Sequence, residues 1–270
     1  MKNLFDLTGK VAVVTGGAGI LGAHFCEGLV AHGARVAIVD VFEDKAKELA
    51  QRLSREYSTD VRGFACNVAD SDSVNSLVEE VVSAFGEITV LHNNAAAKSS
   101  DLLKFFAPFE DYALEEWREI MSVNIDGMFL MDKFVGKQMV KQGKGGSIIH
   151  TASIYGVVAP DNRIYEGSEY MGVSINTPAV YAASKAAVIG LSRYLSTYWA
   201  SHNIRVNTLT PGGNESGQNE TFKSKYSARV PLGRMGNPPE MVGALVYLAS
   251  EASSYVTGQN IIVDGGWSAW

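Results

Sequence analysis

Tyr181 and Lys185, in the run Val180-Tyr181-Ala182-Ala183-Ser184-Lys185, stand four residues apart, and Ser153 lies upstream in Thr151-Ala152-Ser153. A helix brings residues at that spacing onto one face, so the Lys185 ammonium can approach the Tyr181 phenol and favour its anion. A phenol of ordinary pKa, about 10, is a poor base at neutral pH until such a neighbour lowers it. With a serine hydroxyl to steady charge on a reacting oxygen, the trio suits the proton step of redox chemistry on an alcohol or a ketone. A Tyr and a Lys at this spacing are also commonly plain surface neighbours, so the elements that position them carry the decision.

Those elements alternate. Short β-branched or apolar runs at 11–14, 35–39, 61–65, 88–91, 147–150, 205–209 and 260–263 are separated by helical patterns at 21–31, 44–56, 73–85, 115–141, 179–201 and 239–249. Seven strands with helical connections predict an α/β fold: a single doubly wound (Rossmann) domain over 1–270, its mostly parallel sheet covered by helices on both faces. Two stretches interrupt the rhythm, 160–178 and the Gly-, Asn- and Ser-rich 212–231; irregular loops of that length in a compact domain tend to be functional.

Composition narrows the function. The chain is 46 % hydrophobic and 19 % charged, with a formal charge of −6 and scattered basic residues, which argues against nucleic acid or an anionic membrane as partner. No apolar run reaches membrane-span length, and the start Met1-Lys2-Asn3 has no signal-peptide pattern, so a cytoplasmic protein is expected. Cys26 and Cys66, without a His/Cys cluster, are expected to be reduced core residues, and no metal site is expected. His24, His32, His92, His150 and His202 have no triad context and are expected to be structural.

After the first strand, Thr15-Gly16-Gly17-Ala18-Gly19-Ile20-Leu21-Gly22 opens straight into a helix. Glycines there let backbone approach a pyrophosphate, and the helix N-terminus offers free N–H donors to the anion. Asp40 ends the second strand, where a carboxylate can accept from the adenosine ribose hydroxyls or else cap the next helix. A carboxylate there would repel a 2′-phosphate, and no Arg follows it. NAD is therefore the expected cofactor, rather than NADP.

With these residues in place, the chain resembles the short-chain dehydrogenase/reductase family over nearly its whole length. The family's glycine loop maps to Thr15–Gly22 with Ile20 in place of the middle glycine, leaving Gly19 to supply flexibility. Its Asp-Val after the third strand appears as Asn67-Val68, and its Asn-Asn-Ala-Gly as Asn93-Asn94-Ala95-Ala96. Asn124, Pro211-Gly212 and Val263-Asp264-Gly265-Gly266 match further motifs in order. The resemblance implies that Gly16, Gly19, Ile20, Leu21, Asp40, Asn67, Val68, Asn94, Ala95, Pro211 and Gly212 bind the cofactor, with Asn94 and Ala95 lining it while Asn93 ties strands together. Tyr181 would act as acid/base, Lys185 would lower its pKa and hold the nicotinamide ribose, Ser153 would bond the reacting oxygen, and Asn124 would retain a water in a proton relay through Lys185.

Ser153 and Tyr181 are 28 residues apart, much further than in many members of that family. The additional residues, 159–178, leave the catalytic strand's end and should border the substrate pocket as an insert; the alternative is an oligomer-interface loop. Asp161, Arg163, Tyr165, Glu166, Tyr170 and Asn176 in the insert, and Asn214, Glu215, Gln218 and Asn219 in the substrate lid 212–231, suggest a polar, sugar or sugar-phosphate-like substrate. Ser153, Lys98, Arg163 and Asn214 are the candidate substrate contacts, Arg163 or Lys98 serving a phosphate or carboxylate. The run 153–160 and the C-terminal Asp264-Gly265-Gly266-Trp267 resemble the bacterial sugar-modifying branch, including dehydrogenases of legionaminic-type nonulosonic sugar pathways. A non-sugar carbonyl or cyclic diol is the alternative substrate, and an NAD-binding regulator without turnover the alternative class, motivated by Ile20, Asn67 and Ala96. By resemblance a homo-oligomer is expected, a tetramer or a dimer, built through helices 115–141 and 179–201 and the C-terminal region; burial of Trp267 and Trp270 against a neighbour would agree with it.

Overall fold

The computed structural model describes residues 3–270, so the polar start at Met1-Lys2 lies outside them. The elements run β1 (Val11–Thr15), α1 (Ile20–Ala31), β2 (Arg35–Asp40), α2 (Glu43–Tyr57), β3 (Val61–Ala65), α3 (Ser71–Phe85), β4 (Val90–Asn93), α4 (Leu102–Phe105), α5 (Leu114–Met121) and α6 (Gly127–Gln142). They continue as β5 (Gly146–Thr151), β6 (Glu169–Tyr170), β7 (Val173–Ser174), α7 (Ala179–Tyr198), β8 (Ile204–Pro211), α8 (Glu220–Ser227), α9 (Val242–Ala249) and β9 (Asn260–Val263).

Seven strands form one sheet in the order β3-β2-β1-β4-β5-β8-β9, and every pairing in it is parallel. Strand period two decides which core each residue enters. Ala12, Val14, Val36 and Ile38 face one side, with Phe25 and Leu29 of α1, Leu53 of α2 and Leu245 of α9. Val11, Val13, Ala37 and Val39 face the other, with Leu77 of α3, Met131 and Val135 of α6 and Leu195 of α7. Both faces are thus buried, which is why these strands read as unbroken apolar runs. The order reverses between β1 and β4, and that reversal opens a crevice at the strands' carboxyl ends.

Three elements depart from expectation. The helix expected over 115–141 is α5 and α6 joined by a π turn, Ser122–Asp126, built around the buried Asn124. β4 lies two residues later than its apolar run suggests, because Ile88 N–H is taken by the Gln142 side chain while His92 and Asn93 enter the ladder. Finally, the insert carries its own antiparallel hairpin, β6–β7, whose two tip residues Met171 and Gly172 both have positive φ, as a two-residue hairpin turn requires.

Candidate active site

At the crevice, Gly16 turns with φ +60°, and a side chain there would meet the Ala95 backbone at 2.9 Å. The loop's left-handed residue is therefore Gly16; Gly19 is extended, φ −74° and ψ 174°, so the expectation that it supplies the flexibility is corrected. Gly22 serves close packing instead, because a Cβ there would collide with the Gly16 carbonyl oxygen, and only glycine lets α1 begin this close to the loop. No side chain caps α1 at Gly19, leaving its first N–H groups to the cleft. Asp40 is buried and accepts from Ala18 N at 3.1 Å and Phe42 N at 3.1 Å. It ties the loop to β2 instead of capping α2, and a carboxylate still has lone pairs for ribose hydroxyls. Thr15 Oγ1 accepts from Asn94 N and Ala95 N, and the Asn94 amide donates to Thr15 O, so strand ends and loop form one frame.

This frame lines a cleft of about 760 Å³ that includes Gly16, Gly19, Ile20, Leu21, Asp40, Asn67, Val68, Asn94 and Ala95. An uncapped helix start, a glycine cradle that a Cβ would fill, and a carboxylate at the far end fit a nicotinamide dinucleotide. Asn67 stands exposed at the rim, where its Oδ1 accepts from Ala69 N. Asn93 braces α6 instead, donating to Asp132 Oδ1 at 2.9 Å.

Tyr181 and Lys185, on α7, and Ser153, just beyond β5, converge on a second cavity of about 400 Å³ that continues from the cleft through Ile20, Leu21, Asn94 and Ala96. Ser153 Oγ accepts from Tyr155 N at 3.3 Å, and its hydroxyl and the Tyr181 phenol line the same cavity. Lys185 Nζ donates to Thr151 O at 2.9 Å and sits 5.8 Å from the centre of the Tyr181 ring. Burial raises the Tyr181 phenol while the Ser153 hydroxyl pulls it down; burial draws Lys185 down to about 8. The expectation that Lys185 depresses Tyr181 is corrected on this point: desolvation rules both groups.

Asn124 does not line this cavity. Its fully buried amide accepts from Ala97 N at 2.9 Å and donates to Ser184 Oγ at 3.1 Å, tying the 94–100 loop to α7. Pro211, Gly212 and Asn214 do line it, with Asn214 Nδ2 donating to Gly212 O. Arg163 does not: its guanidinium is 79 % exposed and pairs with Asp161. Lys98 borders the cofactor cleft, reaching Tyr170 Oη of the hairpin at 3.2 Å. The expected phosphate or carboxylate contacts of Arg163 and Lys98 in the catalytic cavity are therefore withdrawn.

The cavity walls come from the insert and lid. Tyr165 and Thr177 arrive from the insert, and Ser216, Gln218, Phe222 and Tyr226 from the lid, with Tyr155 and Met235 completing the wall. Within 214–219, Asn219 caps α8 and Glu215 faces Lys223, so only part of that polar run reaches the cavity. Tyr165 stacks on Phe222 at 5.5 Å, and Tyr226 stacks on Trp267 at 4.3 Å. Asp161 pairs with both Arg163 and Arg229, and Lys225 donates to the carbonyls of Arg163 and Glu166. Insert and lid thus close the site as one packed unit. Trp267 is buried in its own chain, which corrects the expectation that it is covered by a neighbour, whereas Trp270 is 77 % exposed. Nothing in the sequence singles out Tyr155, Phe222, Tyr226 or Met235 as site residues, because only the packing of α8 and of the loops turns them toward the cavity. Among the described residues no helix is long and apolar enough to cross a membrane, no metal-binding group of His, Cys, Asp and Glu gathers, and both cysteines are free and buried.

A family model described as enoyl-(acyl carrier protein) reductase matches residues 16–268. D-threitol dehydrogenase of Mycolicibacterium smegmatis is 35 % identical over 98 % of this chain and 95 % of its own length. A gluconate 5-dehydrogenase of Burkholderia cenocepacia, solved with NADP and tartrate, superposes with a TM-score of 0.86 at 31 % identity, covering 99 % of this chain and 98 % of that one. A short-chain dehydrogenase of Leptospira borgpetersenii, solved with NAD+, gives 0.85 at 32 % identity, covering 99 % and 96 %. The chain belongs to the short-chain dehydrogenase/reductase family. It is an oxidoreductase that interconverts a secondary alcohol and a ketone.

Proposed function

We propose that the enzyme acts with NAD(H) on a small, neutral polyol or its ketose, with Tyr181 as acid/base. The carrying observation is the cavity wall: hydroxyls and amides from Ser153, Tyr155, Tyr165, Thr177, Asn214 and Gln218 stand among aromatic rings, with Lys185 as the charged side chain lining it. Such a wall hydrogen-bonds a neutral polyol and offers an anionic group little compensation for its desolvation. D-threitol, the substrate named for the M. smegmatis relative, has this chemistry. A legionaminic-type nonulosonic sugar, which carries a carboxylate, is an alternative to this reading, and a cyclic diol is another.

When bound, the nicotinamide accepts or donates the hydride. The residues would do the rest: Gly16 to Leu21 would receive the pyrophosphate, Asp40 the adenosine ribose, and Asn67 and Val68 the adenine side. Asn94, Ala95, Pro211 and Gly212 would serve the nicotinamide end, and Lys185 would hold its ribose. Ser153 steadies the reacting oxygen, and Tyr181 holds a proton at its phenol oxygen for the ketone or receives one from the alcohol. Asn124 acts through position, fixing the 94–100 loop against α7.

A screen of NADH formation over polyols, sugar phosphates and nonulosonic sugars tests the substrate; activity confined to phosphorylated sugars would overturn the neutral-polyol reading. Tyr181→Phe should lower kcat by roughly 10²–10⁴-fold while nucleotide binding survives, and unchanged turnover would remove Tyr181 from the mechanism. A regulator without turnover would instead bind NAD tightly and show no activity on the whole panel. Tighter binding of NADPH than NADH would sink the Asp40 assignment. We also infer a homo-oligomer through α6 and α7, whose outer faces leave Phe129, Tyr194 and Tyr198 exposed.

A further inference from the structure

Beside Ser153 and Tyr181 the cavity carries a second group of hydroxyls, brought together from three places in the chain. Tyr155 lies on the single helical turn Ile154–Gly156 after β5, Tyr165 in the insert and Thr177 at its exit into α7. Tyr165 Oη donates to Tyr155 Oη at 3.0 Å and lies 2.5 Å from Thr177 Oγ1. A phenol has one proton to give. Since Tyr165 gives its own to Tyr155, Thr177 must donate to Tyr165, and the chain of donors runs Thr177 to Tyr165 to Tyr155.

The last proton in that chain is on Tyr155, and no bond from it to a protein acceptor is found among the described residues. Tyr155 borders the cavity two residues from Ser153, whose Oγ accepts its backbone N–H. Burial raises the Tyr155 and Tyr165 phenols, so both remain protonated and Tyr155 is a permanent donor. Donors in series polarise one another, which strengthens the terminal one.

Resting on the polyol reading above, we propose that Thr177, Tyr165 and Tyr155 form a relay that recognises a second substrate oxygen, on the carbon next to the one that is oxidised or reduced. The ligand class is a vicinal diol or an α-hydroxyketone. The insert would then have a chemical purpose: it carries Tyr165 and Thr177 into the site, the first held by its stack on Phe222. A relay that served only the fold would leave selectivity untouched.

The test compares kcat/KM for a vicinal butanediol and for its mono-hydroxy counterpart, secondary butanol, in the wild type, Tyr155→Phe, Tyr165→Phe and Thr177→Val. The wild type should favour the diol, and Tyr155→Phe should cut the diol-to-alcohol ratio about tenfold, the loss of roughly one good hydrogen bond. Tyr165→Phe and Thr177→Val should cut it less, in that order, because each acts through its neighbour. If Tyr155→Phe and Tyr165→Phe both fold, by their melting temperatures, and both keep the wild-type ratio, the relay is overturned while the polyol reading stands. A wild type that does not prefer the diol overturns both.

Discussion

Lys185 meets two opposed demands. Under the proposed mechanism its ammonium holds a ribose beside the phenol, yet it is only 2 % exposed and bonds a single carbonyl, that of Thr151. Burial draws its pKa from 10.5 to about 8, which means that the folded chain binds this proton less tightly than the unfolded chain does. Below about pH 8 the full destabilisation is present, and it is relieved as pH rises from there toward the unfolded value. Lys185→Met should therefore be inactive but gain stability relative to wild type at pH 7, by at most roughly 3 kcal/mol, with that gain shrinking by pH 10. Paired denaturant titrations at the two pH values check this; a difference that does not narrow would mean that burial does not govern this lysine. The Tyr181/Lys185 pair was legible because four-residue spacing on a helix has one geometric outcome. The desolvation that sets its protonation was not, since it depends on β5, α7 and the lid closing around it.

At the scale of elements, the insert and the lid behave as one body. Asp161 fastens them, accepting from Arg163 within the insert and pairing with Arg229 beyond α8. Arg163, first, and Arg229 hold the Asp161 carboxyl down to about 2, so the contact is intact above the ordinary carboxylate pKa and is lost only as pH falls through that value. Asp161→Ala should open 159–178 to limited proteolysis at neutral pH and raise KM by several-fold with a smaller change in kcat, since it loosens the wall rather than the proton donor. An unchanged cleavage pattern and KM would show that aromatic packing alone holds the unit. The position and length of this insert were legible from the Ser153–Tyr181 separation. Its contacts were not: Arg163 looked like an anion ligand, but a partner two residues away, Asp161, takes its guanidinium. The π turn at Asn124 was equally hidden, because helical periodicity is blind to one extra residue that a buried amide pulls into place.

For the whole molecule, the outer faces of α6 and α7 present a groove of about 710 Å³ lined by Phe129, Tyr194, Tyr198 and Lys137 among others, with Tyr194 and Tyr198 stacked 5.8 Å apart. Exposed rings grouped in this way mark an interaction surface. Under the assembly inferred above, Tyr198→Glu should shift the light-scattering mass toward the monomer, and an unchanged mass would move the interface elsewhere. Sequence alone determined the doubly wound sheet and picked out the glycine loop, Asp40 and the Ser153, Tyr181 and Lys185 trio as residues that the structure places at the cleft and cavity, because each rests on local spacing: period two in strands, one helical turn, a loop opening into a helix. Tertiary structure alone decided the all-parallel order with its crevice between β1 and β4, the fate of Arg163 and Lys98, and the hydroxyls of Tyr155, Tyr165 and Thr177 meeting in one wall. Those outcomes depend on which distant segments share a surface, and such competition for partners leaves no periodic trace in the chain.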